Sequence, residues 1–238
     1  INHLLERVEK GVSREKQFTS DASHELRTPL AILKGNFEVL IRKPRTPEEY
    51  IAKIREGIII IDKLNAILDQ LLTLARLQKG IHKNEEVDLK FLVKDIIDST
   101  QKQNPTRSII LTEKLVNKGF IKANEKSVAI ILENLIQNAI KYSLDTQDIN
   151  LVLRSEKEGI CLEIIDQGIG ISDEELKKIY QPFFRGESHE LGRINGAGLG
   201  LSIVKKLCDL YQIKISILSE KGKGTTIILL FPTTIIHA

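Results

Sequence analysis

Apolar residues along the first 80 positions return at alternating steps of three and four. Positions 5, 8, 12, 15, 19, 22, 26, 29, 33, 36 and 40 form one track, and Leu5, Val8, Val12, Ala22, Leu26, Leu33 and Leu40 occupy it. This is a heptad seam and predicts a long amphipathic helix. Lys43-Pro44-Arg45-Thr46-Pro47 breaks it, because proline has no N–H to continue the ladder. A second helix follows, with Ile51, Ile54, Ile58, Ile61, Leu68, Leu72 and Ala75 at heptad spacing and Gly80 suited to its end. Two such helices joined by a short turn make a hairpin. One hairpin leaves apolar surface open, and pairing two copies into a four-helix bundle would close it.

The period changes after GIHKNEE, residues 80–86, which reads as a linker and hinge. The expected domains are therefore 1–82 and 83–238. Helix is predicted after Asp88, through ANEKSVAIILENLIQNAIKYS, and in GLGLSIVKKLCDLY. Ser172 to Glu175 spells a capping box before EELKKIY. SIILTEKL, INLVLRSEK, GICLEIID and KISILSEKGKGTTIILLFP read as strands, the last as two around a Gly-Lys-Gly turn. Mixed helices and hairpin-like strands favour an α/β sandwich over a doubly wound parallel sheet. The fold class is thus α plus α/β.

Composition narrows the function classes. With 42% hydrophobic and 28% charged residues among 238, the chain is globular in type and not disordered. The net charge of +3 comes without a long basic run, so no nucleic acid is expected as partner. Cys161 and Cys208 lie outside any CxxC pattern and read as buried free thiols. No apolar run approaches the roughly 18 residues of a membrane span, and no signal peptide is visible.

The candidate chemistry lies in two places. SHELRTPL puts His24 on the first helix, about 160° around from both Ala22 and Leu26. The imidazole therefore faces outward, with Thr28 on the same side and Glu25 adjacent. Pro29 deprives the Glu25 carbonyl of its helical partner and is expected to bend the helix. Glu25 is positioned in sequence to take a proton from one ring nitrogen and leave the other to attack. Alone, an exposed helical histidine is more often merely solvated.

The second place is a set of four ordered patterns, without the GxxxxGK[ST] of a P-loop or the HRD and DFG of eukaryotic-type protein kinases. ENLIQNAIKYS sets Asn134, Asn138 and Lys141 on one helix face, where amide oxygens suit Mg²⁺ and lysine suits phosphate. In DQGIGIS, Asp166 ends a strand and can accept from an exocyclic amine such as adenine's, while Gly168 and Gly170 allow close backbone approach. PFFRG offers Phe183 and Phe184 as core anchors and Arg185 toward phosphate; the following GESHELGRIN reads as a mobile lid, with no role for His189. GAGLGL opens a helix at which Gly196, Gly198 and Gly200 can turn backbone N–H groups toward an anion. A KGKGTT turn closes the base pocket. Each pattern has a bland reading as an ordinary turn or polar face.

Together these stretches resemble the sensor histidine kinases of two-component signalling. FTSDASHELRTPL is similar to their H box, ENLIQNAIKYS to the N box, DQGIGIS to G1, PFFRG to the F box, GAGLGL to G2 and GKGTT to the terminal Gly-Thr motif. The resemblance covers nearly the whole chain. It implies a dimerization and histidine-phosphotransfer hairpin, and a Bergerat-type sandwich that binds ATP. It implies His24 as phosphoacceptor, Glu25 as general base, and Thr28 as holder of a water for dephosphorylating the partner regulator. It places Asn138 on Mg²⁺ with Asn134 nearby, Asp166 on adenine, and Lys141, Tyr142, Arg185, Leu201, Thr225 and the motif glycines around the nucleotide. It implies a homodimer, a response-regulator receiver domain as partner, and a cytoplasmic position in a membrane-anchored bacterial sensor whose spans lie upstream of Ile1. Tyr180, where the family often has Phe, and LYQI, where His-Gly-Gly is frequent, depart from the pattern outside the chemistry. Two other classes compete. A dead signalling scaffold is opposed by the intact His24, Asn138 and Asp166, and an ATPase of the Hsp90 or MutL type is opposed by SHELRTP.

Overall fold

The computed structural model describes residues 2–77, 84–116, 119–144, 146–186 and 196–232. The chain divides into two compact units, Ile1–Ala75 and Arg76–Ala238. The expected boundary between 82 and 83 lies outside the described residues.

The first unit is helical, with α1 over Asn2–Ile41 and α2 over Pro47–Leu77. α1 runs uninterrupted through Pro29. Arg45 ends it by donating to the Val39 carbonyl (3.3 Å). α2 starts on a reciprocal cap: the Thr46 hydroxyl accepts from Glu49 N (3.3 Å) and the Glu49 carboxylate accepts from Thr46 N (3.0 Å). Pro47 then takes the first helical position, where a missing N–H does no harm.

On the α1 seam Pro29 and Leu40 are buried and Ala22, Leu26 and Leu33 half-buried, while Val12 is exposed. The α2 heptad positions stay open in the single chain, as one hairpin must leave them. Ile51, Ile54, Ile58, Ile61, Leu68 and Leu72 are all between 42 and 52% exposed, whereas Gly57, Ile67 and Leu74 are buried. A side chain at Gly57 would start 3.3 Å from Leu33 and 3.4 Å from the Phe37 ring. α2 therefore turns its Gly57 side toward α1 and leaves the heptad stripe uncovered.

The second unit is an α/β sandwich. Its five-stranded sheet has the order β2-β4-β5-β7-β6, from β2 (Ile109–Lys114), β4 (Ile149–Glu156), β5 (Gly159–Asp166), β6 (Lys214–Glu220) and β7 (Gly224–Pro232). The β4–β5 and β6–β7 hairpins are antiparallel as expected, and β5–β7 is antiparallel too; β2 joins β4 in parallel, which the hairpin-like reading missed. A small antiparallel pair of β1 (Glu85–Asp88) and β3 (Phe120–Ala123) was also not foreseen. Residues 85 and 86 thus belong to a strand and not to the linker.

The helices are α3 (Leu89–Gln103), α4 (Glu125–Tyr142), a single turn α5 (Asp173–Leu176) and α6 (Gly200–Leu210). Asp88 and Asn124 cap α3 and α4 through side-chain oxygens, and the Ser172–Glu175 box starts α5. α4 packs on α3, α6 and β5. Its Leu132, Leu135 and Ile136 are fully buried, as are Leu151, Leu162, Leu229 and Phe231 from the sheet. This apolar seat leaves the opposite, polar face of α4 to the site. No described helix is long and apolar enough to cross a membrane.

Candidate functional site

On α1, His24 and Thr28 are exposed and Glu25 is half-buried. Successive residues stand 100° apart on a helix, so carboxylate and imidazole leave the axis on different sides. The Thr28 hydroxyl donates to the His24 carbonyl (3.2 Å), one residue before the Glu25 carbonyl that Pro29 leaves without its helical N–H.

In the second unit, the polar face of α4 carries Asn134, Asn138, Lys141 and Tyr142, all half-buried. Asn134 gives its amide N–H to the Ile130 carbonyl (2.7 Å), which aims its oxygen at Gly200, where a Cβ would stand 2.6 Å away. The Lys141 ammonium lies 2.5 Å from where a Cβ on Gly196 would be, and 5.1 Å from the Tyr142 ring centroid. The Tyr142 carbonyl accepts from Ile169 N (3.1 Å). One helix face thus meets both glycine-bearing stretches.

Asp166 ends β5 only 8% exposed. Its carboxylate accepts from Gly168 N (2.8 Å) and from the backbone N–H of Thr225. Burial pushes its pKa up, opposed by those two donors. A buried, acceptor-only group held by the backbone is suited to an exocyclic amine. Gly170 has a φ of 66°, and a Cβ there would collide with the Glu220 carbonyl. The DQGIGIS loop is in this way pressed onto the β6–β7 turn, where Gly222 N donates to the Ile169 carbonyl (2.7 Å). Thr225 faces Asp166 in register and is buried.

At the other end, Leu199 provides no side-chain cap for α6. The first-turn N–H groups, around Gly200 and Leu201, are orphan donors at a positive helix end, a setting that suits phosphate. Gly198 (φ 74°) accepts at its carbonyl from Phe183 N (2.9 Å). Phe183 and Phe184 are half-buried, not the core anchors expected, and Phe183 sits at a φ of 64°. That left-handed geometry, costing about 1 kcal/mol, serves the contact with Gly198. Arg185 and Glu175 both act on the Tyr142 phenol, whose pKa is raised first by burial, lowered by Arg185 and raised by Glu175. Arg185 therefore stands by the end of α4. Residues 187–195, the expected lid with His189, lie outside the described residues.

Two residues escaped the sequence reading. Arg107, 5% exposed, donates to the carbonyls of Ile140 (3.1 Å) and Leu144 and to the Ser143 hydroxyl (2.6 Å), fixing the last turn of α4. Ser219 bonds Ile171 N (2.8 Å) and the Gly224 carbonyl (2.9 Å). Neither has a local signal, since every partner is distant in sequence or across a turn.

Residues 14–80 match the His Kinase A (phospho-acceptor) domain, and residues 123–235 match the histidine kinase-, DNA gyrase B-, and HSP90-like ATPase family. The sensor histidine kinase YkoH of Bacillus subtilis (strain 168) is 32% identical over 240 residues, 97% of this chain and 50% of that protein. The chain belongs to the sensor histidine kinases. ArlS of Staphylococcus aureus (strain USA300), a signal transduction histidine-protein kinase, is 31% identical over 97% of this histidine kinase and 52% of its own length. The chain thus spans about half the length of the curated relatives it matches. Among solved structures, the Acinetobacter baumannii histidine kinase AdeS shares the fold of this histidine kinase at a TM-score of 0.71 and 22% identity, covering 89% of this chain and 98% of that one. Histidine kinase ThkA, solved in complex with the response regulator protein TrrA, shares it at 0.69 and 21% identity, covering 95% and 64%.

Proposed function

We propose that this histidine kinase uses ATP to phosphorylate His24 and passes the phosphoryl group to an aspartate of a response regulator. Residues 1–82 serve as the dimerization and phosphotransfer hairpin and residues 83–238 as the ATP-binding catalytic domain. The observation that carries the reading is the convergence on one α4 face. Asn134 reaches Gly200, Lys141 reaches Gly196 and Tyr142 holds Ile169, beside the buried carboxylate of Asp166.

In this reading Asp166 accepts from the adenine amine. The uncapped start of α6, Lys141 and Arg185 receive the phosphates. Mg²⁺ would be held by the Asn138 amide oxygen with the nucleotide's own oxygens. Asn138 fits this as a half-buried amide on the same α4 face as Asn134 and Lys141, because Mg²⁺ commonly keeps waters and arrives with phosphates. The ion would neutralise developing charge on the phosphates.

The exposed His24 supplies a ring nitrogen in line with the γ-phosphorus. A P–N bond forms, the bond to the β–γ bridging oxygen breaks, ADP leaves, and the imidazole proton passes to Glu25. Phosphoryl transfer asks for alignment and charge neutralisation more than for a strong nucleophile. The phosphoramidate then yields its phosphoryl group to the regulator's carboxylate. Thr28, exposed one helical turn after His24, orients water for the reverse hydrolysis on the regulator. ThkA, of the same fold, is known in complex with a response regulator protein, which supports this partner.

The exposed stripe of Ile51, Ile54, Ile58 and Leu72 supports a homodimer closed as a four-helix bundle. We place this part on the cytoplasmic side of a membrane-anchored sensor, a reading supported by its likeness to sensor histidine kinases about twice its length.

The test is incubation with γ-labelled ATP and Mg²⁺. The chain takes up acid-labile, alkali-stable label, and His24→Gln takes up none. Label surviving in His24→Gln would mean another acceptor, and no label in either chain would refute the kinase reading. Thr28→Ala keeps autophosphorylation and loses regulator dephosphorylation. Ile58→Glu sediments as a monomer.

A further inference from the structure

Ser219 lies on β6, across the β6–β7 turn from Thr225. Its Oγ meets three groups: Ile171 N at 2.8 Å, the Gly224 carbonyl at 2.9 Å and the Thr225 hydroxyl at 2.9 Å. A serine hydroxyl owns one proton and two lone pairs. Only one assignment makes all three contacts hydrogen bonds. Ser219 gives its proton to the Gly224 carbonyl, and accepts from Ile171 N and from the Thr225 hydroxyl. Thr225 then has no proton left for a ligand, and its oxygen can only accept.

The consequence concerns the group opposite. Asp166 pairs with Thr225 in register, is buried, and is acceptor-only when ionised. The Asp166 carboxylate, already accepting from the Thr225 backbone N–H, and the Thr225 hydroxyl then both act as acceptors. Such a pair matches a 6-amino purine, which presents two N–H donors on one nitrogen. It repels a 6-oxo purine, which presents an acceptor at the same place.

We infer that Ser219 is a positioning residue that sets base selectivity, by fixing the Thr225 hydroxyl as an acceptor beside Asp166. The inference rests on the nucleotide reading given above. Without the Ser219 oxygen, the Thr225 proton is freed to turn toward the base, where it can serve a 6-oxo group.

The experiment measures dissociation constants of ADP and inosine diphosphate with Mg²⁺ by calorimetry, on the full chain and on Ser219→Ala, Ser219→Thr and Ser219→Cys. Diphosphates avoid turnover. The parent prefers ADP. Ser219→Ala shrinks that preference by about fivefold, the weight of one net hydrogen bond, while Ser219→Thr, which keeps the hydroxyl, retains it. Ser219→Cys, near in size with a weak S–H donor, shifts the ratio in the alanine direction and stands in should the alanine chain not fold. Equal weakening of both nucleotides in Ser219→Ala and Ser219→Cys would mean a purely structural serine and overturn the inference, leaving the ATP reading intact. A parent chain that binds neither nucleotide would overturn the ATP reading itself.

Discussion

Replacing Gly170 or Gly222 by alanine separates conformational cost from close packing. Both glycines have positive φ, 66° and 84°, so alanine meets the left-handed penalty at each, about 1 kcal/mol. Their surroundings differ. A Cβ on Gly222 meets nothing within 4 Å, whereas one on Gly170 collides with the Glu220 carbonyl and falls 3.0 Å from Lys221 Cα. Backbone cannot swing aside as a side chain does, so the loop must lift from the β6–β7 turn. The bonds at risk are Gly222 N to the Ile169 carbonyl (2.7 Å) and Ile171 N to Ser219 (2.8 Å), each about 1 kcal/mol net. Gly170→Ala should therefore cost about 3 kcal/mol against about 1 for Gly222→Ala, a large share of the roughly 5–15 kcal/mol that holds a domain folded. Urea unfolding followed by tyrosine fluorescence reads this unit, because Tyr142, Tyr180 and Tyr211 lie in it and only Tyr50 lies in the first. Equal losses for the two variants would show that the loop is not pressed on the turn, and the placement of Asp166 would lose its support.

Asp166 carries a pH signature. Its folded pKa is raised above the ordinary 3.8 by burial, so the native state binds the proton more tightly, and its contribution to stability is full below 3.8 and lost as pH rises through the folded value. The urea midpoint of the parent, relative to Asp166→Asn, should fall as pH climbs upward from 4; a flat or rising difference contradicts the buried carboxylate. Arg107→Ala should cost about 3 kcal/mol, since a buried guanidinium with several carbonyl and hydroxyl partners is removed, and should weaken ADP binding in calorimetry. Arg107→Lys should recover only part of both, and an unchanged ADP constant in Arg107→Ala would show that the last turn of α4 holds without it. Burial pushes the Cys161 and Cys208 thiols up to about 11 and about 12. Iodoacetamide at pH 8 should leave both unmodified by mass spectrometry until urea is added, and labelling of the native chain would contradict the burial.

The long elements were legible because their signals are local. α4 joins an Asn124 cap to apolar spacing, and β4, β5 and β7 carry alternating or continuous apolar runs between turn residues. Phase was harder than period. GIIIID offers apolar residues on every side of α2, so spacing could not say that Gly57, Ile67 and Leu74, and not the Ile51–Leu72 stripe, would be buried. β1 and β3 were missed because EEVD and FIKA are too short to show alternation and pair only with each other. The same reason hid Arg107 and Ser219, whose meaning lies in partners the chain brings from elsewhere. Phe183 misled by composition: its aromatic ring reads as core, while the backbone is bent to reach Gly198.

The parallel pairing of β2 with β4 has a consequence for the order of assembly. Ile109 meets Ile149, about 40 residues later, and β3 and α4 lie between. Closing such a loop costs chain entropy that the adjacent β4–β5 and β6–β7 hairpins avoid. β2 should thus join β4 after the two hairpins have formed, as must β5 with β7, whose Asp166 and Thr225 meet from still further apart along the chain. Arg107, two residues before β2, arrives with it. The carbonyls that Arg107 clamps belong to the turn carrying Lys141 and Tyr142, so the phosphate end of the site sets only after the hairpins and loosens when the sheet edge opens at β2.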